Sequence, residues 1–173
     1  EPGARDGTLA IMAGGDAALV ESLSDVFAAM GRVTRIGPVG TGQMTKLSNQ
    51  IIVGATMAAV AEAMHFATQG GADPAAWRQA LMGGFADSKI LNLHGQRMVE
   101  RNFVPGGPAE YQLKDMRTAQ AWAEKNGLTF TLLDCVEDMF SSLIERFGTG
   151  LDVSAIMREV ERSAGGETKK VAS

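Results

Sequence analysis

The residues that could do chemistry are concentrated in one short block, residues 37–49, with the sequence G-P-V-G-T-G-Q-M-T-K-L-S-N. Its glycines are typical of a tight turn in which the backbone comes close to another group. The apolar run that follows Asn49 predicts a long helix, so Lys46 should lie in the first turns of that helix. The positive end of the helix dipole disfavours a protonated lysine there. A lysine so placed suits general acid–base catalysis near neutral pH.

Three polar residues of this block share one face of the predicted helix. Lys46, Asn49 and Gln50 follow the spacing i, i+3 and i+4. An amine and two carboxamides in that arrangement could hold a small carboxylate or carbonyl substrate. The alternative is an exposed polar patch at a helix start, although Asn49 and Gln50 lead directly into an apolar run, where buried polar groups need partners. The pattern alone leaves both interpretations open.

Other candidate residues carry a weaker signal. Lys114 and Asp115 are adjacent near a predicted helix start, which by itself indicates only a surface charge pair. The two histidines, His65 and His94, have no set of acidic or cysteine residues at ligand spacing. Glu62 and His65 form a pair at i, i+3, but two residues rarely build a metal site, so we predict structural histidines. Cys135 lies in the apolar stretch L-L-D-C-V-E-D-M-F and is predicted to be a buried, inert thiol.

Composition limits the class of protein. Of the 173 residues 45% are hydrophobic and 21% are charged, which is enough for a substantial core. The net charge of -4 argues against a nucleic-acid-binding surface. A single cysteine excludes an internal disulfide and suits a reducing compartment, so we expect a cytoplasmic protein. The uncharged stretch 47–61 is shorter than the roughly 20 residues of a membrane span, and no signal peptide is visible, so we expect no membrane association.

The elements that must position these residues fall into two groups. Residues 8–13 and 33–36 are predicted strands, with a helix from Asp16 to about Met30 between them. This β-α-β piece is too small for a stable sheet, so we expect partner strands upstream of residue 1. Every predicted element after Gly42 is a helix. The first predicted helix follows Gly42 and runs to about Gln69. The others run from Pro74 to near Gly83, from Asp87 or Ser88 to about Arg101, and over 112–126, 131–147 and 153–163.

The glycine–lysine–asparagine block resembles the signature G-x-x-G-x-G-x-x-x-K-x-x-N of the β-hydroxyacid dehydrogenase family. Three further stretches agree in the same order. Residues 7–15 resemble the family's G-T-L-x-x-M-x-G-G, residues 101–106 its R-N-F-x-P-G loop, and residues 114–116 its K-D-L with methionine in the last position. The resemblance covers about residues 3 to 163. The signature block is matched by Gly37, Gly40, Gly42, Lys46 and Asn49.

The resemblance implies a mainly α fold: the all-helical C-terminal domain of a 6-phosphogluconate-dehydrogenase-like enzyme, preceded by a short β-α-β part of a Rossmann-like domain. We therefore expect a β-α-β part over residues 1–38, a helical catalytic and oligomerisation domain over 39–163 that begins with one long interdomain helix, and a disordered tail over 164–173. The sequence has no G-x-G-x-x-G loop after a strand. The family's dinucleotide-binding domain is thus expected to precede this chain.

The resemblance also implies roles for individual residues. Lys46 would be the catalytic lysine, and Asn49, together with Gln50, would orient the substrate. Gly40, Thr41 and Gly42 would let the helix start approach the substrate, and Lys114 would reach the cofactor region. The implied reaction interconverts a small β-hydroxyacid and its semialdehyde with NAD or NADP, in a homodimer or homotetramer. One substrate branch of the family usually has a second asparagine where Gln50 stands, so Gln50 favours the other branch.

Two alternatives stay open beside this interpretation. The helical part could serve mainly for self-association, because its first helix is rich in small residues and the predicted helices have apolar faces. Lys46 could also act as a Schiff-base nucleophile rather than a proton donor. On either enzymatic interpretation, we expect this chain by itself to be inactive.

Overall fold

A computed structural model describes residues 2–165 of the chain. Most of the predicted tail, residues 166–173, lies outside the described residues. The chain divides into two compact units, Glu1–Asn49 and Gln50–Ser173. The division thus falls within the long helix, whereas the sequence places a boundary after residue 38.

The first unit contains the predicted β-α-β arrangement. Strand β1 (Leu9–Gly14) and strand β2 (Gly31–Gly37) pair in parallel, from Leu9 opposite Gly31 to Gly14 opposite Gly37, with a register irregularity after Ala13. A short helix, α1 (Pro2–Arg5), precedes them and was not predicted. Parallel pairing with helical segments between the strands is the geometry of a βαβ unit.

One helix was predicted between the strands, but the structure has two, so the prediction is wrong in that respect. Asp16 caps helix α2 (Ala17–Ser22) as expected, and its carboxylate accepts the Leu19 N–H at 3.0 Å. Leu23 then leaves the helical conformation, with φ -100° and ψ 11°, and helix α3 (Ser24–Met30) follows. The apolar spacing gives no sign of this break, because it continues across it.

Helix α4 (Thr41–Gln69) has 29 residues and confirms the predicted long helix. At 1.5 Å per residue it is about 43 Å long. Met57, Ala61 and Met64 line its most deeply buried stripe, at the i, i+4, i+7 spacing of a core-facing helix. By length and hydropathy it is also the one helix within residues 2–165 that could cross a membrane, and 39% of its apolar window is buried inside the protein. The core helix of a soluble protein meets the same criterion.

The remaining predicted helices are all present. Asp73 caps the first of them by accepting the Ala76 N–H at 2.8 Å, and Ser88 caps the next by accepting the Leu91 N–H at 2.9 Å. Their bounds are α5 (Pro74–Leu81), α6 (Lys89–Val99), α7 (Ala109–Lys125), α8 (Thr131–Phe147) and α9 (Ile156–Ser163), the last preceded by a 3₁₀ turn, Val153–Ala155. The mainly α fold predicted from the sequence is confirmed.

The core of the second unit is formed largely by α7, α8 and α9 with the inner face of α4. Helix α8 contributes Leu133, Val136, Phe140 and Leu143, whose spacing keeps them on one face. Cys135 lies outside that spacing and is exposed. The prediction of a buried thiol was therefore wrong: the stretch is apolar, but this position points away from the packed face.

Candidate functional site

The glycine block forms the turn between β2 and α4 in the first unit. Gly40 has φ +94°, in the left-handed region, and a Cβ at this position would meet nothing within 4 Å. Gly42 is required for a different reason: a Cβ there would lie 2.3 Å from the carbonyl oxygen of Met12. The start of α4 therefore lies against the backbone of β1, and glycine permits that contact.

The Thr41 hydroxyl holds the same turn. It donates to the carbonyl oxygen of Pro38 at 2.8 Å, and the Thr41 N–H bonds to the same carbonyl at 3.2 Å. The turn before Lys46 is therefore held by the Thr41 hydroxyl and by the contact between Gly42 and strand β1. Both interactions lie within the first unit.

A pocket of about 470 Å³ opens beside this turn. Strand β1 from Ala10 to Gly14 forms one wall, and Gly40, Gly42 and Lys46 are among the residues that complete it. Lys46 is exposed and Asn49 is half-buried. The pocket lies where the carboxyl end of a parallel strand meets a helix start, which is the usual place for a ligand in α/β structures. Three of the predicted site residues, Gly40, Gly42 and Lys46, thus line one pocket, and their roles stay predictions.

Gln50 belongs to the second unit, where its side chain is paired. Its Nε2 donates to Oε1 of Gln112 at 3.2 Å, and Nε2 of Gln112 donates to the carbonyl oxygen of Gln50 at 2.9 Å. Gln112 lies on α7 and is only 3% exposed. This pairing joins α4 and α7, and sequence reasoning missed Gln112 because nothing in E-Y-Q-L-K-D distinguishes it from a surface glutamine.

Lys114 lies on α7, in the second unit. Its Nζ is 3.0 Å from Oδ1 of Asp115, and its side chain is 70% exposed. This geometry agrees with the surface charge pair that the local sequence indicates. The role in the cofactor region that the resemblance implies stays a prediction.

A buried carboxylate, Asp152, was also missed. Its Oδ2 accepts the N–H groups of Gly106 at 2.9 Å and Gly107 at 3.1 Å. Its Oδ1 accepts the N–H of Ser154 at 3.0 Å and the Ser154 hydroxyl at 2.6 Å. Nδ1 of His94, at 3.4 Å from Oδ1, lies within ion-pair range without hydrogen-bond geometry. The D-V-S sequence is a capping pattern that could have revealed the local bonds.

These contacts determine the ionisation of Asp152. Burial alone would raise its pKa, but the nearby His94 imidazole, together with the hydrogen bonds from the side chain and N–H of Ser154 and from the Gly106 N–H, holds the pKa well below its usual range. Nε of Arg97 lies 3.3 Å from Oδ1 and adds a cationic neighbour. Asp152 is therefore a charged anchor for the loop before α7.

The loop that Asp152 anchors contains the R-N-F-V-P-G stretch. Arg101 adopts φ 56°, and its guanidinium binds Glu161 through two bonds of 2.6 and 2.8 Å. The guanidinium carbons of Arg101 and Arg158 lie 5.3 and 4.9 Å from the centre of the buried Phe103 ring. Arg101 and Phe103 of this stretch thus hold the loop against α9. Within residues 2–165, no cluster of three or more possible metal ligands is present.

Family models and known proteins match most of this chain. A family model described as "NAD-binding of NADP-dependent 3-hydroxyisobutyrate dehydrogenase" matches residues 40–160, and one described as "NAD binding domain of 6-phosphogluconate dehydrogenase" matches residues 1–47. The chain is 42% identical over 165 residues to 2-hydroxy-3-oxopropionate reductase of Escherichia coli K12, covering 95% of this chain and 56% of the relative. It is 43% identical over 119 residues to probable 3-hydroxyisobutyrate dehydrogenase-like 2, mitochondrial, of Arabidopsis thaliana, covering 69% and 40%.

Solved structures agree. The crystal structure of 3-hydroxyisobutyrate dehydrogenase from Salmonella typhimurium matches with a TM-score of 0.83 and 25% identity, over 90% of this chain and 55% of that one. The chain spans about half the length of the curated relatives it matches. Enzymes of this family use NAD or NADP. The matched family model, which covers residues 40–160, shows that this chain belongs to the β-hydroxyacid dehydrogenase family.

Proposed function

We propose that the complete protein containing this chain interconverts a small β-hydroxyacid and its semialdehyde, as a 2-hydroxy-3-oxopropionate reductase or 3-hydroxyisobutyrate dehydrogenase does. The observation that carries the proposal is Lys46 on the first turns of α4, lining a pocket beside a glycine turn. Gln50 favours the former type, because the latter usually has a second asparagine at that position.

Lys46 would act as general acid and base. In the reducing direction its ammonium gives a proton to the carbonyl oxygen of the semialdehyde while the carbonyl carbon receives hydride. In the oxidising direction the neutral amine takes the proton back from the hydroxyl. The bound nicotinamide cofactor would supply or accept the hydride. Because proton and hydride arrive at opposite ends of one C=O bond, a single lysine is sufficient for the proton.

The neighbouring residues would hold the substrate. Asn49, one turn after Lys46, would orient the substrate through its carboxamide, and Gln50 would assist it. Gly40 supports this role because the space where its Cβ would lie is open. Thr41 and Gly42 would contribute through the position of the turn, since the Thr41 hydroxyl is bonded to Pro38 and Gly42 lies against Met12.

The residues of this chain fit only part of a dinucleotide site. The pocket beside Lys46 is bounded by strand and glycine backbone, which suits the close approach of a flat ring. A pyrophosphate needs a G-x-G-x-x-G loop at a helix start, and the sequence has none. Lys114 would contribute a positive charge near the cofactor, and a Rossmann domain outside this sequence would bind the rest.

The test is a hydride-transfer assay followed at 340 nm. The complete protein should oxidise NADH or NADPH in the presence of tartronate semialdehyde or methylmalonate semialdehyde. No turnover with either substrate and either cofactor would refute the proposal. The isolated chain should show none, and turnover by it alone would contradict the expectation that it is inactive. Borohydride should not trap substrate on Lys46; a trapped adduct would favour a Schiff base.

A second proposal concerns self-association through the helical unit. Phe66 on α4 is 81% exposed, and it lines an open groove with Trp77 of α5 and Val160 of α9. Such an apolar groove is typical of an interface, so we propose a homodimer or homotetramer. Light scattering that returns a monomer mass would contradict it. We also propose that the protein is cytoplasmic, and that it binds neither membranes nor nucleic acid; cell fractionation tests its location.

A further inference from the structure

Two hydrogen bonds pair Gln112 with Gln50. Gln112 is buried, and both ends of its carboxamide are used on the same partner: its Oε1 accepts from the Gln50 side chain and its Nε2 donates to the Gln50 backbone. A buried amide with both ends bonded has one orientation, because rotating it would place donor against donor. One N–H of the Gln50 side chain is thereby directed at α7.

Gly54 makes this pairing possible. In α4 the carbonyl of Gln50 faces the N–H of Gly54, one turn later, so a second donor must approach past residue 54. A Cβ at Gly54 would lie 2.7 Å from Nε2 of Gln112 and 3.0 Å from Cγ1 of Val136. Only glycine leaves room for the Gln112 amide to reach the Gln50 carbonyl.

We propose that Gln112, admitted by Gly54, is a positioning residue that orients the Gln50 carboxamide for substrate binding. This inference rests on the proposed function of Gln50. Gln112 itself does not touch the substrate in this scheme. It acts by committing one N–H of Gln50 to α7, so that the carboxamide meets the substrate already ordered and loses less conformational freedom on binding.

The experiment uses steady-state kinetics of the complete protein with four variants. Gln112→Met keeps the length of the side chain but removes both bonds. We expect it to raise KM about 3- to 10-fold with a smaller change in kcat, the usual worth of one or two hydrogen bonds to uniform binding. Gln50→Ala should raise KM at least as much. In the double variant, Gln112→Met should add nothing further to the effect of Gln50→Ala.

Gln120→Met is the matched control. Gln120 is on the same helix and donates one bond from α7 to Asp134 of α8, at 2.9 Å. Its loss removes a cross-helix bond without touching Gln50, so KM should stay at the wild-type value. If Gln112→Met does not fold, Gly54→Ala tests the same step, because its Cβ must displace the Gln112 amide.

The outcomes separate the two proposals. An unchanged KM in Gln112→Met would overturn the positioning role. So would a result in which Gln112→Met raises KM by the same factor in the wild-type protein and in the Gln50→Ala variant. A wild-type KM in Gln50→Ala would overturn it as well, while leaving hydride transfer intact. A complete protein without hydride transfer refutes the proposed function itself. The orientation remains testable in that case: the side-chain amide signals of Gln50 in ¹H–¹⁵N spectra should shift in Gln112→Met and not in Gln120→Met.

Discussion

Replacing Asp152 with alanine should destabilise the helical unit more than any ordinary surface substitution. Three backbone N–H groups, of Gly106, Gly107 and Ser154, would lose their acceptor, and the guanidinium of Arg97 would lose a carboxylate 3.3 Å away. Breaking a buried ion pair by removing one partner costs about 3–5 kcal/mol. For a domain of this size, that corresponds to a fall in Tm of ~10 °C.

The measurement is thermal unfolding followed by circular dichroism, on the complete protein at pH 7. Asp152→Asn separates charge from shape, because it keeps an acceptor oxygen and loses the negative charge, so its Tm should fall less. Asp138→Ala, at an exposed position on α8, is the matched control and should change Tm by less than about 2 °C. If the Tm of Asp152→Ala differs from the wild-type Tm by no more than this margin, the carboxylate does not anchor the loop.

The same carboxylate predicts how stability depends on acid. Its folded-state pKa lies below the unfolded value, because the contacts from His94, Ser154 and Gly106 outweigh the effect of burial. A lowered pKa means that the charged form stabilises the fold above the unfolded pKa, and that this contribution disappears as pH falls toward the folded pKa. The difference in unfolding free energy between wild type and Asp152→Asn should therefore be constant above about pH 5 and shrink below about pH 4. A constant difference down to pH 2.5 would contradict this linkage.

Three further substitutions test the glycine–lysine block. Lys46→Ala should lower kcat of the complete protein by roughly 10²–10⁴, the usual contribution of general acid–base catalysis. Lys89 is an exposed lysine at the start of α6, so Lys89→Ala should leave kcat unchanged. Turnover near the wild-type value in Lys46→Ala would show that Lys46 is not the general acid and base. Gly42→Ala should lower Tm sharply, because its Cβ would lie 2.3 Å from the carbonyl oxygen of Met12. Gly40→Ala, with φ +94° and open space at its Cβ, should lower stability by only about 1–2 kcal/mol. If Gly42→Ala and Gly40→Ala lose the same stability, the close contact between α4 and β1 is not the reason for glycine at position 42.

Helices whose ends are determined by local residues were predicted closely from the sequence. The start of α5 was located by Asp73 followed by proline, and its side chain accepts the expected N–H. The start of α6 was predicted at Asp87 or Ser88, and Ser88 is the cap. Helix α8 runs over the predicted residues, 131–147. A cap is an interaction between residues three positions apart, so a linear sequence contains all the information needed to place it.

Features that depend on distant partners were not predicted. Gln112 acquires its role from Gln50, 62 positions earlier, and Asp152 from glycines about 45 positions earlier. In both cases a polar residue is buried because a second element supplies its partner, and its own neighbours in sequence give no indication of that partner. The exposure of Cys135 has the same origin, since the face that α8 buries is chosen by the helices packed against it.

The two later glycines of the signature block have structural reasons of their own. Gly42 is needed for the contact between α4 and β1, and Gly40 for a turn with positive φ, whether or not a substrate is present. The glycine pattern is therefore evidence for the turn, not for catalysis, and a protein could keep it after losing its activity. Lys46 is different, because its side chain lines the pocket and carries an amine that can give or take a proton, which no glycine can do. The catalytic proposal depends on this one side chain, so substituting Lys46 is more decisive than substituting any glycine around it.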